Sequence, residues 1–425
     1  RDIGVTGVQT CALPIYGTVE VFVGTGHAGA LWGWENGQLV RRRTMEAGGP
    51  DLPAACAATW ADMNGDGFPE LVMASEWGTV RLLDGRTGKA SAVQPASGTG
   101  WWRSVAAVDI DGDGRLDIVA GNWGLNSEWA VWATNSAALI WSRGDGNGAP
   151  VWFEGRVGSE GRWFPWRDKD TLMAAYPEME GRAASHEAFA RTDLRGLAPK
   201  GAVAVRAETM ASCAWLNRGD RFERVELPME AQRTPVSGIV AADFDGDGKE
   251  DLFLAQNWFA VRPDDTRMDA GLGLVLRGDG RGGWTPMTAV ESGIRLVGEQ
   301  RGAATGDFDA DGRADIAVAQ NGEDAVVYLN KGAAPGIRVR LAGPPGNPWG
   351  LGATVRLRHG TRWGAARVVT GGSGYGSQDS PVLVMAAPAT PTAIEVRWPG
   401  GKVTVAELGS DAREVTVGAD GVMQR

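Results

Sequence analysis

A nine-residue acidic loop occurs four times in this chain in one local context, and that repeat constrains the fold more than any other feature. The copies read ADMNGDGFPELVMA from Ala61, VDIDGDGRLDIVAG from Val108, ADFDGDGKEDLFLA from Ala242 and GDFDADGRADIAVA from Gly306. Short apolar runs precede the loops (Val105 to Val108, Ile239 to Ala242) and others follow them (Leu71 to Ala74, Ile118 to Ala120, Leu252 to Ala255, Ile316 to Ala319). The unit is therefore strand, loop, strand. First acidic positions 62, 109, 243 and 307 are spaced by 47, 134 and 64 residues. That irregular period fits propeller blades of about four strands with variable outer loops better than a solenoid. With 63 glycines and 43% hydrophobic residues in 425, the chain has the makings of many short strands joined by tight turns, so the expected class is all-β.

Each loop places oxygen-bearing side chains at positions 1, 3, 5 and 9: Asp62, Asn64, Asp66 and Glu70; Asp109, Asp111, Asp113 and Asp117; Asp243, Asp245, Asp247 and Asp251; Asp307, Asp309, Asp311 and Asp315. The backbone carbonyl at position 7 (Phe68, Arg115, Lys249, Arg313) can add a ligand, and glycine at position 6 (Gly67, Gly114, Gly248, Gly312) permits the sharp turn. Three or four carboxylates in one short loop repel one another unless a cation neutralises them. Calcium, which takes 6 to 8 oxygens at about 2.3 to 2.6 Å, suits these ligands; magnesium holds several waters in a rigid octahedron, and zinc wants nitrogen or sulfur. The loops are not EF-hands, because position 12 is Met73, Ala120, Leu254 or Val318 instead of a bidentate Glu. A metal-free Asx-rich turn is the competing reading; fourfold recurrence in one strand context favours metal. About four structural calcium ions are expected.

Around the loops, the propeller is expected to span residues 16–332. The 134-residue gap holds a decayed fifth copy, Arg143-Gly-Asp145-Gly-Asn147-Gly148, with Arg at position 1 and Val151 at position 9. It is followed by a helical insertion over 155–212, with Asp170 and Ser185 as N-caps. WLNRGDRFERVEL from Trp215 and LVLRGDGRGGWTPM from Leu274 read as hairpins. Tyr16 to Val40 reads as the tail of a truncated blade, giving six visible blades and a seventh if one is missing with the N-terminus. Residues Val5 to Ile15, VTGVQTCALPI, resemble one reading frame of a sequencing-library adapter, so residues 1–15 are expected to be extraneous and a signal peptide to have been lost with the true N-terminus. A Pro/Gly-rich stretch from Ala333 to Pro348 separates the propeller from a small β domain, 333–425.

At the acidic loops the chain resembles the FG-GAP/VCBS propeller repeat, also seen in integrin α-subunit heads. NPWGLGATVRL from Asn347, RVVTGGSGYGSQDS from Arg367 and IEVRWPGGKV from Ile394 resemble the ASPIC/UnbV domain. The pair is the architecture of bacterial relatives of the cartilage acidic protein family. The resemblance implies an extracytoplasmic (secreted, periplasmic or cell-surface) calcium-binding protein and no particular reaction.

The remaining signals narrow the function. The net charge of -10 has no basic stripe for nucleic acid, and no run of 18 apolar residues is long enough to span a membrane. Gly24 to Gly29 matches GxGxxG, but Gly33 and Gly37 interrupt the helix that should follow. Arg-Gly-Asp occurs at 143, 218 and 277, each time on an expected turn. His27, His186 and His359 are scattered, and the pairing of Cys56 with Cys213 is left open, as is the oligomeric state. Most of the 19 tryptophans, among them Trp77, Trp101, Trp102, Trp123 and Trp129, are expected to pack blades, and the rest could stack on sugars. The favoured function is a non-enzymatic scaffold binding a protein or glycan. The alternative is a polysaccharide lyase or hydrolase using carboxylates near the insertion: Glu154, Glu160, Asp168, Asp170, Glu178 and Glu180.

Overall fold

Burial on two faces explains why the strand after each acidic loop is a continuous apolar run. In Glu70–Gly78, Leu71 and Met73 pack against Phe22 and Leu31, whereas Val72 and Ala74 turn to Val105, Ile118 and Ala120. Val119, in Asp117–Gly121, faces the other way, towards Ile239, Leu252 and Leu254; Phe253 meets Ile316 and Val318. Alternating side chains thus fill successive gaps between sheets, which polar alternation could not do.

The computed structural model describes residues 9–13, 20–25, 28–36, 38–45, 55–131, 137–142, 151–158, 160–263, 265–421 and 423–424. Five small antiparallel sheets form the series. The first contains Gln9–Leu13, Glu20–Thr25, Ala28–Glu35 and Gln38–Met45. The second contains Ala55–Ala61, Glu70–Gly78 and Val80–Asp84, with Gly100–Trp101 pairing to the end of its middle strand. The third contains Ser104–Val108, Asp117–Gly121, Cys213–Asn217 and Phe222–Glu226. The fourth contains Val236–Ala242, Asp251–Gln256, Leu274–Gly278 and Trp284–Pro286, and the fifth Glu299–Gly306, Asp315–Asn321 and Val326–Tyr328. The leading strands of the five sheets lie side by side in succession. That is the propeller plan, with each acidic loop joining the first and second strands of its sheet.

Three expectations need correction. The strands flanking the Arg143 segment, Ala137–Ser142 and Val151–Val157, belong to an inserted sheet rather than to a blade. Val203–Arg206 adds beside the first and Trp163–Pro165 beside the second, and the whole unit lies between the second and third strands of the third sheet. The segment around Asp145 and Asn147 lies outside the described residues. The insertion therefore starts before Gly155 and is mixed α/β. One face of its sheet packs under Lys169–Ala175, His186–Arg191 and Leu194–Leu197, through Phe153, Leu172, Phe189 and Leu194. Ser185 caps its helix as expected, but Asp168, and not Asp170, caps the earlier one, accepting from Thr171 N at 2.8 Å. Gln9–Leu13, within the stretch expected to be extraneous, pairs with Glu20–Gly24. Strand pairing is made by backbone groups and does not require a particular side-chain history.

The C-terminal region is a sandwich of two sheets over one apolar core. Ile337–Ala342 pairs in parallel with Glu414–Gly418, and Thr354–His359 lies beside Ala393–Arg397; Val339, Val355, Ile394 and Val415 are wholly buried between them.

Candidate metal sites

The four loops share one backbone scaffold. The position-6 glycines Gly67, Gly114, Gly248 and Gly312 have φ of 85°, 92°, 87° and 82°, the left-handed region that favours glycine. Their N–H groups donate to one oxygen, Oδ2, of the position-1 Asp: Asp62 at 2.9 Å, Asp109 at 2.9 Å, Asp243 at 2.5 Å and Asp307 at 3.0 Å. The position-9 carboxylate clamps the loop from below. Glu70, Asp117, Asp251 and Asp315 accept the position-2 N–H of Met63, Ile110, Phe244 and Phe308 at 2.9, 2.9, 2.9 and 2.8 Å. In the last three loops its other oxygen accepts from the turn after the third strand: Asn217 N, Gly278 N and Asn330 N, at 2.6, 2.8 and 2.7 Å.

Positions 3 and 5 carry the outward charge. Asp66, Asp113, Asp247 and Asp311 each accept the position-7 N–H of Phe68, Arg115, Lys249 and Arg313. Position 3 meets a base from the third-strand turn: Asp111 with Arg218 at 2.5 Å, Asp245 with Arg277 at 2.9 Å, and Asp309 with Lys331 at 2.5 Å. Two of the Arg-Gly-Asp tripeptides thus spend their arginine on the neighbouring acidic loop. The third, at 143–145, lies outside the described residues.

Carboxylate oxygens of Asp109, Asp111 and Asp117 lie within 4.8 Å of one another, as do those of Asp243, Asp245 and Asp251 and of Asp307, Asp309 and Asp311. The first loop has no comparable trio: Asn64 takes position 3, and its amide donates to Glu70 Oε1 at 2.8 Å. Asp113 and Asp247 stand outside their trios, as does Asp315. Burial pushes Asp117 up to about 8, Glu70 and Asp251 up to about 7, and Asp109 and Asp243 up to about 6. Backbone N–H donors oppose the shift in each case, and neighbouring carboxylates add to it.

The residues fit a hard cation. Asp109 is wholly buried, yet its Oδ1 receives no donor, and neither does Asp111 Oδ1 beside it. Buried carboxylate oxygens left this way are costly unless a cation meets them.

No single sequence motif announces what covers these loops. The C-terminal sandwich lies against all four. Ala366 N donates to Asp109 Oδ2 at 2.7 Å, and the Arg356 guanidinium lies against Gly114. Arg338 Nε is 2.9 Å from Asp307 Oδ2, an ion-pair contact without hydrogen-bond alignment. Gly400 N donates to Gly67 O at 2.7 Å, and Pro388 touches Gly248. Beside the third loop, Arg367 forms a bidentate pair with Glu250 at 2.7 Å for both bonds. The Gly-rich segment after it reaches the leading strands: Thr59 Oγ1 donates to Gly372 O, Ala58 bridges Gly374, and Asp379 accepts from Thr305 N. A cavity of about 70 Å³ is left there, lined by Thr59, Val105, Ile239, Thr305, Arg367 and Asp379 among others.

At the other end of the strands, Trp77, Trp101 and Trp123 pack edge to face with centroids 4.8 and 4.7 Å apart and hold the inserted sheet through Leu139 and Val205. Trp129 stacks on Trp166 at 3.9 Å. Of the insertion's carboxylates, Asp168 is a helix cap, Glu154 lies 3.8 Å from Arg167, and Asp170 meets His186 at an exposed position; Glu160, Glu178 and Glu180 are exposed. Cys56 and Cys213 are both free thiols.

The fold and the repeated acidic loops define a repeat β protein of propeller plan. Residues 62–120 match the FG-GAP-like repeat, and residues 343–421 match the ASPIC and UnbV domain. The chain thus carries an FG-GAP-like repeat and, C-terminal to it, an ASPIC/UnbV domain. No curated protein shows significant similarity to it. Among the described residues, no helix is long and apolar enough to cross a membrane.

Proposed function

We propose that the protein is an extracytoplasmic binding scaffold whose propeller is held together by structural calcium and whose ligand is a protein or a glycan. One observation carries the calcium reading: Asp109 Oδ1 and Asp111 Oδ1 are buried without a donor inside a group of three carboxylates. The three companion loops repeat its backbone scaffold. FG-GAP repeats are typical of extracellular proteins, where calcium is abundant enough to fill even modest sites. Asp109 with Asp111 and Asp117, Asp243 with Asp245 and Asp251, and Asp307 with Asp309 and Asp311 would hold three of the ions, and Asp62 with Asn64, Asp66 and Glu70 the fourth. Calcium would supply charge neutralisation and rigidity, and no chemistry.

Thermal unfolding in calcium, in magnesium and in excess chelator tests this reading. Calcium should raise the melting temperature, magnesium should do so less, and chelation should lower it reversibly; an unchanged melt in chelator contradicts it. A glycan array with and without calcium then tests the ligand class.

A further inference from the structure

The C-terminal domain covers the mouths of the acidic loops, and this has an electrostatic consequence. Ala366 N donates to Oδ2 of Asp109, the oxygen that already accepts from Gly114 N, and Oδ1 is left without a donor. In the fourth loop Arg338 approaches the corresponding oxygen of Asp307, which already accepts from Gly312 N. In both loops the domain contacts Oδ2, the oxygen that also accepts from the position-6 N–H. Asp109 is wholly buried in this docked arrangement. Burying a carboxylate costs far less once its charge is compensated.

We infer that calcium occupancy of the second loop and docking of the ASPIC/UnbV domain are thermodynamically linked, each strengthening the other. The inference rests on the calcium reading above. Without the ion, the docked domain holds a buried carboxylate whose Oδ1 has no donor; with it, the same carboxylate would join the cation to the Ala366 amide. Residues 366–380 act as the transmitting segment. They join Asp109 to the leading strands of the second and fifth sheets through Gly372, Gly374, Asp379 and Ser380. Linkage requires that docking strengthen calcium binding by the same factor by which calcium strengthens docking.

Two measurements on the full chain test this. In the first, hydrogen exchange is followed in residues 364–380, in calcium and in chelator. The segment should be better protected in calcium. Asp111→Ala, at a residue that touches Arg218 and lies outside the C-terminal domain, should abolish that response. In the second, calcium titration calorimetry is run on Gly374→Ala. Gly374 has φ of 81°, and a Cβ there would lie 2.8 Å from Val105 O, so the segment should be unseated without touching a ligand. Calcium should then bind at least one site about tenfold more weakly, within the usual range of coupling between sites. Normal calcium binding by wild type and Gly374→Ala alike, with exchange of 364–380 the same in calcium and chelator, would overturn the linkage while leaving the calcium reading intact. No saturable calcium heat in wild type would overturn both.

Discussion

Replacing Arg367 by alanine should separate the two domains energetically. Its guanidinium makes two bonds of 2.7 Å to Glu250 and a third of 2.9 Å to Val384 O. The side chains are only 10% and 6% exposed, so solvent screens the pair little. Removing one partner of such a pair leaves the other charge buried and typically costs about 3 to 5 kcal/mol. The lost bond to Val384 O adds about 1 kcal/mol. A total of roughly 4 to 6 kcal/mol is a large fraction of a domain's stability. The double variant Arg367→Met with Glu250→Met leaves no orphan charge and should lose less than Arg367→Ala alone. Urea unfolding in saturating calcium, followed by tryptophan fluorescence and by exchange in residues 336–342, measures both. If Arg367→Ala unfolds within about 1 kcal/mol of wild type, below the range for a broken buried pair, or if the double variant is the weaker, the reasoning fails.

Gly114→Ala should destabilise through both its φ of 92° and a collision with Arg356, read as a lower melting temperature and weaker calcium binding. Trp101→Ala, which removes the centre of the tryptophan cluster, should cost about 3 to 5 kcal/mol and raise proteolysis within 137–206 before the propeller itself is cut. In chelator, stability should fall as pH rises from about 4 to about 8. Burial holds Glu70 and Asp117 up at about 7 and about 8, so the unfolded chain, with carboxylates near about 4, releases its protons first. In saturating calcium that decline should vanish, and a pH-independent melt in chelator would count against the buried acids.

The sequence carried the loops because their chemistry is local: Asp109, Asp111, Asp113 and Gly114 lie within six residues, and their alternation is visible without a fold. It also carried the apolar runs after them, since two-sided packing writes itself as unbroken hydrophobicity in Leu71 to Ala74 and Leu252 to Ala255. The inserted sheet was misread as a blade because Arg143-Gly-Asp145-Gly imitates a loop, whereas what separates insertion from blade is where Val203–Arg206 and Cys213–Asn217 pair. Pairing partners so distant leave no local trace. The C-terminal contacts were invisible for the same reason: Ala366 and Asp109 are 257 residues apart and meet through a backbone amide that any residue but proline supplies. A hint for Arg338 and Arg356 existed in the alternation of IRVRL and TVRLRH, which places arginines on one face of a strand, but nothing there names the acid they meet. The Arg-Gly-Asp tripeptides at 218 and 277 prove to be loop partners because the third-strand turn lies beside the acidic loop, a neighbour relation set by the sheet.

Calcium titration calorimetry of the full chain, after exhaustive removal of divalent ions, tests the central claim most directly. The loops starting at Asp62, Asp109, Asp243 and Asp307 each carry oxygen-bearing side chains at positions 1, 3, 5 and 9, whereas the Arg143 segment lacks acids at its first and ninth positions. The account predicts four calcium ions per chain, falling to three in Asp111→Ala. A flat titration, or a stoichiometry that Asp111→Ala leaves untouched, would contradict it.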